Sequence, residues 1–276
     1  MKLREVLADT TIKLSRSGIV GAARDARILT AYALKIRISE LSLKIHEQVS
    51  EQIIYELEKL ILRRIDREPV SKILGRREFW GRSFSISENV LDPRADTETL
   101  IDFVVKKPVK SVLELGTGSG AIAITLACEW KEVQVTAIDI SEDALSLAKI
   151  NSEKFNVQNK VHFLKSDWFE TVKGSFDLII SNPPYIGLIE QDKISAEVLK
   201  YDPKISLFAG RDGLDAYKKI IPNLAKFLNP DGLVVLETGA YQSNQVKNMM
   251  NAVGFIDAKI VKDLSGKDRL VVAKLA

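Results

Sequence analysis

Along the first 70 positions, apolar residues recur at three- and four-residue spacing, as at Ile53, Leu57, Leu60 and Ile61. That is the period of an amphipathic helix. Breaks at Ser17-Gly18 and Ser39 divide the stretch into several helices, which bury their stripes by packing as a small bundle. Pro69 ends the last helix or sits just past its end. Between 73 and 92 the pattern changes. Aromatic, β-branched and polar residues alternate around Gly75, Gly81 and Asn89, which predicts a hairpin-like connector. From Lys110 strands and helices alternate: 111–115 strand, 121–130 helix, 133–138 strand, 143–155 helix, then strands at 161–164 and 176–180. Alternation of this kind predicts a parallel sheet with helices on both faces. The tail differs. Segments 233–236, 255–261 and 269–274 are strand-like, and the last two read as an antiparallel pair across Ser265-Gly266-Lys267. The division expected is a helical domain at 1–72, a connector at 73–92 and an α/β domain at 93–276.

The first strand of the α/β region delivers Gly116-Thr117-Gly118-Ser119-Gly120. Glycines this close let the backbone turn sharply and approach a ligand with no Cβ in the way. A loop at the carboxyl end of a strand is where open α/β sheets bind ligands. The spacing is GxGxG, not the GxGxxG of dinucleotide phosphate loops. Asp139 follows the second strand about twenty residues on, and a carboxylate there accepts ribose hydroxyls. After the third strand, Ser166-Asp167-Trp168 offers an acceptor for an adenine amino group and a ring to cover its face. Together these favour S-adenosylmethionine as cofactor, with S-adenosylhomocysteine as product and no metal.

The fourth strand ends in Asn182-Pro183-Pro184-Tyr185. Adjacent prolines remove two backbone donors and stiffen the turn. The Asn182 side-chain carbonyl and the Pro183 backbone carbonyl are then rigid acceptors. A substrate NH₂ group carries two donors in a plane, so the pair can fix it, and Tyr185 presents a flat face to it. The expected acceptor of the methyl group is a planar amide or amine nitrogen. Such a nitrogen is a poor nucleophile, so orientation carries much of the rate. Its proton can leave after attack, which fits the lack of an evident general base. Both histidines, His46 and His162, lie away from these motifs.

Charge and cysteine content refine the picture. Net charge is +3. Residues 1–77 hold 16 Lys/Arg against 10 Asp/Glu, and the remainder 24 against 27. The basic front faces either solvent or an RNA or acidic protein partner. The single cysteine, Cys128, allows no internal disulfide and sits in an apolar helical pattern, as an inert buried thiol does. The N-terminus lacks the apolar region of a signal peptide. No apolar run approaches the roughly 20 residues of a membrane span, and the expected location is the cytoplasm.

Beyond these readings, the chain resembles the release factor glutamine methyltransferases, the HemK or PrmC family, over essentially its full length. The segments that carry the resemblance are Gly75-Arg76-Arg77-Glu78-Phe79-Trp80-Gly81, Leu91-Asp92-Pro93-Arg94-Ala95-Asp96-Thr97-Glu98, the Gly116 loop, Ser166-Asp167-Trp168, Asn182 to Tyr185, and Asp212-Gly213-Leu214. The family commonly has Pro-Arg-Pro-Glu-Thr-Glu where this chain has Pro93-Arg94-Ala95-Asp96-Thr97-Glu98. The resemblance implies a Rossmann-like, seven-stranded class I methyltransferase sheet with a reversed final hairpin, preceded by a small helical bundle. It implies methylation of the glutamine amide nitrogen in the Gly-Gly-Gln motif of class I peptide chain release factors. Asn182, Pro183 and Tyr185 would be catalytic and, with Pro184, hold the substrate. Gly116, Thr117, Gly118, Ser119, Gly120, Asp139, Asp167, Trp168 and Asn182 would bind the cofactor. The N-terminal helices and the connector would help dock the release factor.

Two other substrates share this chemistry: a glutamine of a ribosomal protein, and the amino group of adenine or guanine. An enzyme of the latter kind must grip phosphates and commonly extrudes a base. The acidic balance of the catalytic half counts against it, and direct nucleic-acid binding is not expected. A binding module without activity would need a degraded glycine loop or NPPY segment, and both are intact here.

Overall fold

The computed structural model describes residues 1–275. The first helices are α1 (Leu3–Arg16), α2 (Ala22–Ala33), α3 (Glu51–Ile65) and α4 (Val70–Leu74). Next comes a two-stranded hairpin, β1 (Arg76–Phe79) and β2 (Arg82–Ser85). The remainder runs α5 (Glu98–Val105), β3 (Ser111–Leu115), α6 (Ala121–Glu129), β4 (Gln134–Asp139), α7 (Glu142–Lys154), β5 (Val161–Lys165), β6 (Phe176–Ser181) and α8 (Ala196–Tyr201). It ends with α9 (Asp215–Ile220), α10 (Leu224–Phe227), β7 (Leu228–Glu237), α11 (Ser243–Ala252), β8 (Phe255–Lys262) and β9 (Asp268–Leu275).

These elements form two compact units, residues 1–76 with 195–201, and residues 77–194 with those from 202 onward. In the first, Leu14, Ala26, Leu29, Leu41, Leu57 and Ile61 share one apolar core. Ser50 caps α3 by accepting from the Ile53 amide. Pro69 does more than follow the last helix: it stands at the N-cap of the additional helix α4, with φ −58°. A residue with a preset φ and no N–H is well suited to a helix start. Gly75, in the left-handed region, closes α4. Arg64 is buried and reaches Asp25 at 2.8 Å and Glu197 at 2.9 Å, while Tyr201 and Lys200 bond Asp66. Those contacts tie α8 to this unit although it lies far along the chain.

The second unit is built on a seven-stranded sheet in the order β5-β4-β3-β6-β7-β9-β8. Pairings from β5 through β7 are parallel, and β9 runs antiparallel to both β7 and β8. The expected terminal hairpin is present, and its reversed strand is the one inserted next to β7. Gly266 turns it at φ +78°, while Asp263 accepts from the amides of Ser265 and Lys267. Side chains alternate between the faces of the sheet. Val112, Leu178 and Val235 join one core, and Leu113, Ile179 and Val234 the other. A sheet covered on both sides therefore reads as continuous apolar runs. The hairpin packs on the first of these cores through Phe79 and Phe84, and the Phe84 ring lies 4.9 Å from that of Phe155 at the end of α7.

Candidate active site

The chain turns back in the sheet at β3. Crossovers lead outward from β3 to β4 and β5, then β6 returns to pair with β3 on its other side. The carboxyl ends of β3 and β6 thus flank a topological switch point, the place where such sheets open a ligand crevice. A cavity of about 430 Å³ lies there. Gly116, Gly118, Asp139, Asp167, Trp168, Asn182 and Pro184 line it, with Val90, Leu91, Ile140, Ile205 and Phe208 among the apolar residues.

The glycine loop turns through three left-handed residues, Gly116, Gly118 and Gly120. Gly116 and Thr117 both donate their amides to the Ile138 carbonyl at 2.9 Å, which anchors the loop to β4. Only part of it faces the cavity. Thr117 is buried and donates its hydroxyl to Glu114 at 2.6 Å. The Ser119 carbonyl accepts from the buried Asn151, whose amide also bonds both backbone groups of Ser85. Gly120 faces helices instead: a Cβ there would lie 2.7 Å from Ile124 and 3.1 Å from Ala148. These three residues shape the loop from behind, and none lies on the cavity wall.

Asp139 ends β4 with its carboxylate held on both oxygens. Oδ2 accepts from the Gly118 amide and Oδ1 from the Ser141 amide, each at 2.9 Å. Burial raises its pKa, against the pull of those backbone N–H groups. A carboxylate has about four acceptor sites, so capacity remains for two hydroxyls. Ser166 donates its amide to the Asp139 carbonyl and brings Asp167 and Trp168 alongside. Lys219 lies 3.9 Å from the Asp167 carboxylate. Trp168 is half-buried on the wall, at φ +50°. An apolar cavity with a fixed carboxylate, close glycine backbone and an aromatic ring fits a nucleoside.

At the end of β6, Asn182 donates its side-chain amide to the Thr97 hydroxyl at 3.0 Å. Its NH₂ is thereby engaged and its carbonyl oxygen stays available as an acceptor. Pro183 is buried and Tyr185 half-buried. Neither is on the cavity wall, whereas Asn182 and Pro184 are. Burial, aided by the nearby Glu237, pushes the Tyr185 hydroxyl up to about 12, so it stays neutral. Glu237 ends β7 fully buried, and burial pushes its pKa up to about 7. The Thr97 hydroxyl bears on it and lowers that value, yet neither carboxyl oxygen closes a hydrogen bond of ordinary geometry. Glu114 is likewise fully buried, its pKa pushed up to about 8 by burial. His162 lies exposed on β5, away from these groups.

Sequence reasoning missed part of this wall. Ile140 carried a signal, an apolar residue directly after the key carboxylate and half-exposed in the fold. Val90 and Leu91 sit at the end of the connector, and Ile205 and Phe208 come from the stretch after α8. Nothing local in the sequence marks that stretch as part of the wall.

The PrmC N-terminal domain family matches residues 5–75, and the methyltransferase small domain family matches residues 81–203. A release factor glutamine methyltransferase of Cereibacter sphaeroides is 38% identical over 275 residues, covering 100% of this chain and 99% of that protein. The chain belongs to the release factor glutamine methyltransferase family. The Caulobacter vibrioides member is 36% identical over 99% of this chain and 96% of its own length. A bifunctional methyltransferase of Rickettsia prowazekii is 38% identical over 98% of this chain, which spans only 56% of that longer protein. Among solved structures, the hMettl16 catalytic domain in complex with a MAT2A 3′UTR hairpin aligns with a TM-score of 0.60 at 16% identity, over 89% of this chain and 90% of that one. At that identity the likeness speaks for the fold alone, a methyltransferase sheet. Among the described residues, no helix is long and apolar enough to cross a membrane.

Proposed function

We propose that the chain methylates the side-chain amide nitrogen of the glutamine in the Gly-Gly-Gln motif of class I peptide chain release factors, in the cytoplasm. The observation that carries the reading is the Asn182 amide on the wall of the switch-point cavity, its NH₂ engaged by Thr97 and its carbonyl oxygen left to accept. We assign S-adenosylmethionine to the cavity, where its sulfonium supplies an already activated methyl group. Asp139 holds the ribose hydroxyls, Asp167 accepts from the adenine amino group, and Trp168 covers the base. The backbone of Gly116 and Gly118 lets the ligand approach closely.

Asn182 Oδ1 and the Pro183 carbonyl accept the two N–H bonds of the substrate amide, fixing its plane. Pro184 stiffens the turn and Tyr185 packs its ring near the amide. Holding a weak nucleophile in a near-attack position can supply about 7–11 kcal/mol of the barrier. No side chain need remove a proton beforehand, because the nitrogen loses it after the new bond forms. The helical domain (1–72) and the connector (73–92) help to dock the release factor.

The test is incubation with methyl-labelled S-adenosylmethionine and a class I release factor, beside a copy with the Gly-Gly-Gln glutamine changed to alanine. Label on the first and none on the second is the expected result. Equal label on both moves the site elsewhere in the release factor. No label on either, with cofactor binding intact, refutes the substrate and directs the search to ribosomal proteins and then RNA.

A further inference from the structure

The Asp212-Gly213-Leu214 segment is one of the motifs that carry the family resemblance, yet none of its residues lines the cavity. Its surroundings explain it. Three loops meet behind the NPPY turn: 185–187 after β6, 211–213 before α9, and 238–242 after β7. At their junction sits Gln242, which is buried. Its Nε2 donates to the Tyr185 carbonyl at 2.7 Å and to the Asp212 carbonyl at 3.2 Å. Its Oε1 accepts from the Gly239 amide at 3.3 Å. Both of its donors are spent on backbone carbonyls of two different loops.

The loops approach so closely that side chains are excluded between them. A Cβ on Gly213, at φ +76°, would fall 2.2 Å from the Tyr185 carbonyl oxygen and 2.4 Å from Gln242 Nε2. A Cβ on Gly187 would fall 2.8 Å from the Arg211 carbonyl oxygen. Backbone bonds from Leu188 to Gly210 and from Ala209 to Ile186 run beside this junction. Facing carbonyls repel unless donors stand between them, and here the Gln242 amide supplies the donors.

We infer that Gln242 is a positioning residue: by clamping the Tyr185 and Asp212 carbonyls together it fixes the backbone just after Pro183-Pro184, and so the spacing and direction of the two acceptors that hold the substrate nitrogen. This rests on the reading of NPPY as the substrate clamp. A displacement of about 1 Å in a reacting geometry can cost roughly 10²-fold in rate, so a residue that touches no substrate can still govern turnover.

The test uses the full chain and three variants. Q242M keeps length and loses both donors. Q242E places an acceptor-only group against two carbonyls at neutral pH. Q242A removes the side chain. Turnover of the release factor falls about tenfold to a hundredfold in Q242M, while KM for the release factor and the Kd for S-adenosylmethionine stay within about threefold. Q242E is the more impaired at pH 8 and partly recovers on acidification, because a protonated carboxyl regains one O–H donor for the Tyr185 carbonyl. Neither Q242M nor Q242A shows such recovery relative to the wild-type profile. Q242M turnover within twofold of wild type, or a Q242E profile parallel to that of Q242M, overturns the inference. A crystal structure of Q242M reads the clamp without any substrate. Separation of the 185–187 and 211–213 loops is expected, and an unmoved Tyr185 carbonyl refutes the role even if release factors prove not to be the substrate.

Discussion

Gly118 and Gly120 stand two residues apart in one loop, and the structure gives them different tasks. Both have positive φ, +56° and +81°. An alanine in the left-handed region costs about 1–2 kcal/mol at either position. Only Gly120 adds a steric term. Its Cβ would meet Ile124 Cδ1 at 2.7 Å and the Ala148 Cβ and Cα at 3.1 and 3.3 Å. The isoleucine tip can turn aside, but Ala148 lies in α7 and cannot, so overpacking adds about 1–3 kcal/mol. At Gly118 the nearest atom is Val90 Cγ1 at 4.0 Å. Val90 is itself on the cavity wall, so the new methyl projects toward the cavity to which S-adenosylmethionine is assigned.

Gly120→Ala should therefore lose about 2–5 kcal/mol of stability, and Gly118→Ala about 1–2. Each kcal/mol corresponds to roughly 2–4 °C in a domain of this size. Thermal unfolding measures the first effect and calorimetric titration with S-adenosylmethionine the second. Gly118→Ala should weaken cofactor binding at least tenfold with the smaller Tm shift, and Gly120→Ala should show the reverse emphasis. Equal Tm shifts together with unchanged affinity in Gly118→Ala would refute the division of labour.

Asp139→Asn replaces one of two acceptor oxygens with a donor that faces an amide N–H. Loss of charge-assisted bonds worth about 1.5–3 kcal/mol should raise the S-adenosylmethionine Kd roughly tenfold to a hundredfold, and an unchanged Kd by titration sinks the role of that carboxylate. Asn182→Ala should lower turnover at least about 10²-fold with cofactor affinity within a few-fold, whereas near-normal turnover would show that another group orients the nitrogen. Glu114 and Glu237 have folded-state pKa values raised to about 8 and about 7. The native state thus holds protons that the unfolded chain releases near the ordinary glutamate value. Stability is fully present below that value and is lost as pH rises through 7 and 8. Glu114→Gln should flatten this fall by an amount on the order of 4 kcal/mol between pH 5 and pH 9, read from denaturant unfolding at each pH. A slope identical to wild type contradicts the buried-acid reading.

The α/β framework was legible because buried strands carry their signal locally. The runs at 111–115 and 176–180 are apolar on both faces, and the fold makes them β3 and β6 with at most one added residue. Asp139 could be placed at the cavity because a residue at the carboxyl end of a strand faces the crevice of an open α/β sheet. Between 92 and 110 sequence reasoning gave no element, although Leu100, Ile101 and Val104 form the buried stripe of α5. An eight-residue helix offers too few turns for periodicity to stand out. The GxGxG spacing marks the loop as a unit, yet Thr117, Ser119 and Gly120 face the protein body, a distinction fixed by Glu114 of β3 and by Asn151 and Ala148 of α7. The association of α8 with the N-terminal helices depends on Arg64, Asp66 and Lys72, more than 120 residues distant in the chain. Pairings at that distance leave no trace in a local pattern.

The buried carboxyl of Glu237 and the saturated amide of Gln242 show how such a site divides its demands. Methyl transfer to a weak nucleophile asks for fixed acceptors more than for acids or bases. Fixed acceptors on loops require support from behind, since loops alone are the mobile part of an α/β unit. That support comes from side chains of ordinary type in unremarked positions: Thr97 beneath Asn182, Gln242 beneath Tyr185, and Asn151 beneath the glycine loop. Each spends its hydrogen-bonding capacity on a neighbour that faces the cavity or on the backbone beside it. A motif search reads the groups that would meet the ligands, and the precision of those groups rests on three amide or hydroxyl side chains outside the loops they hold.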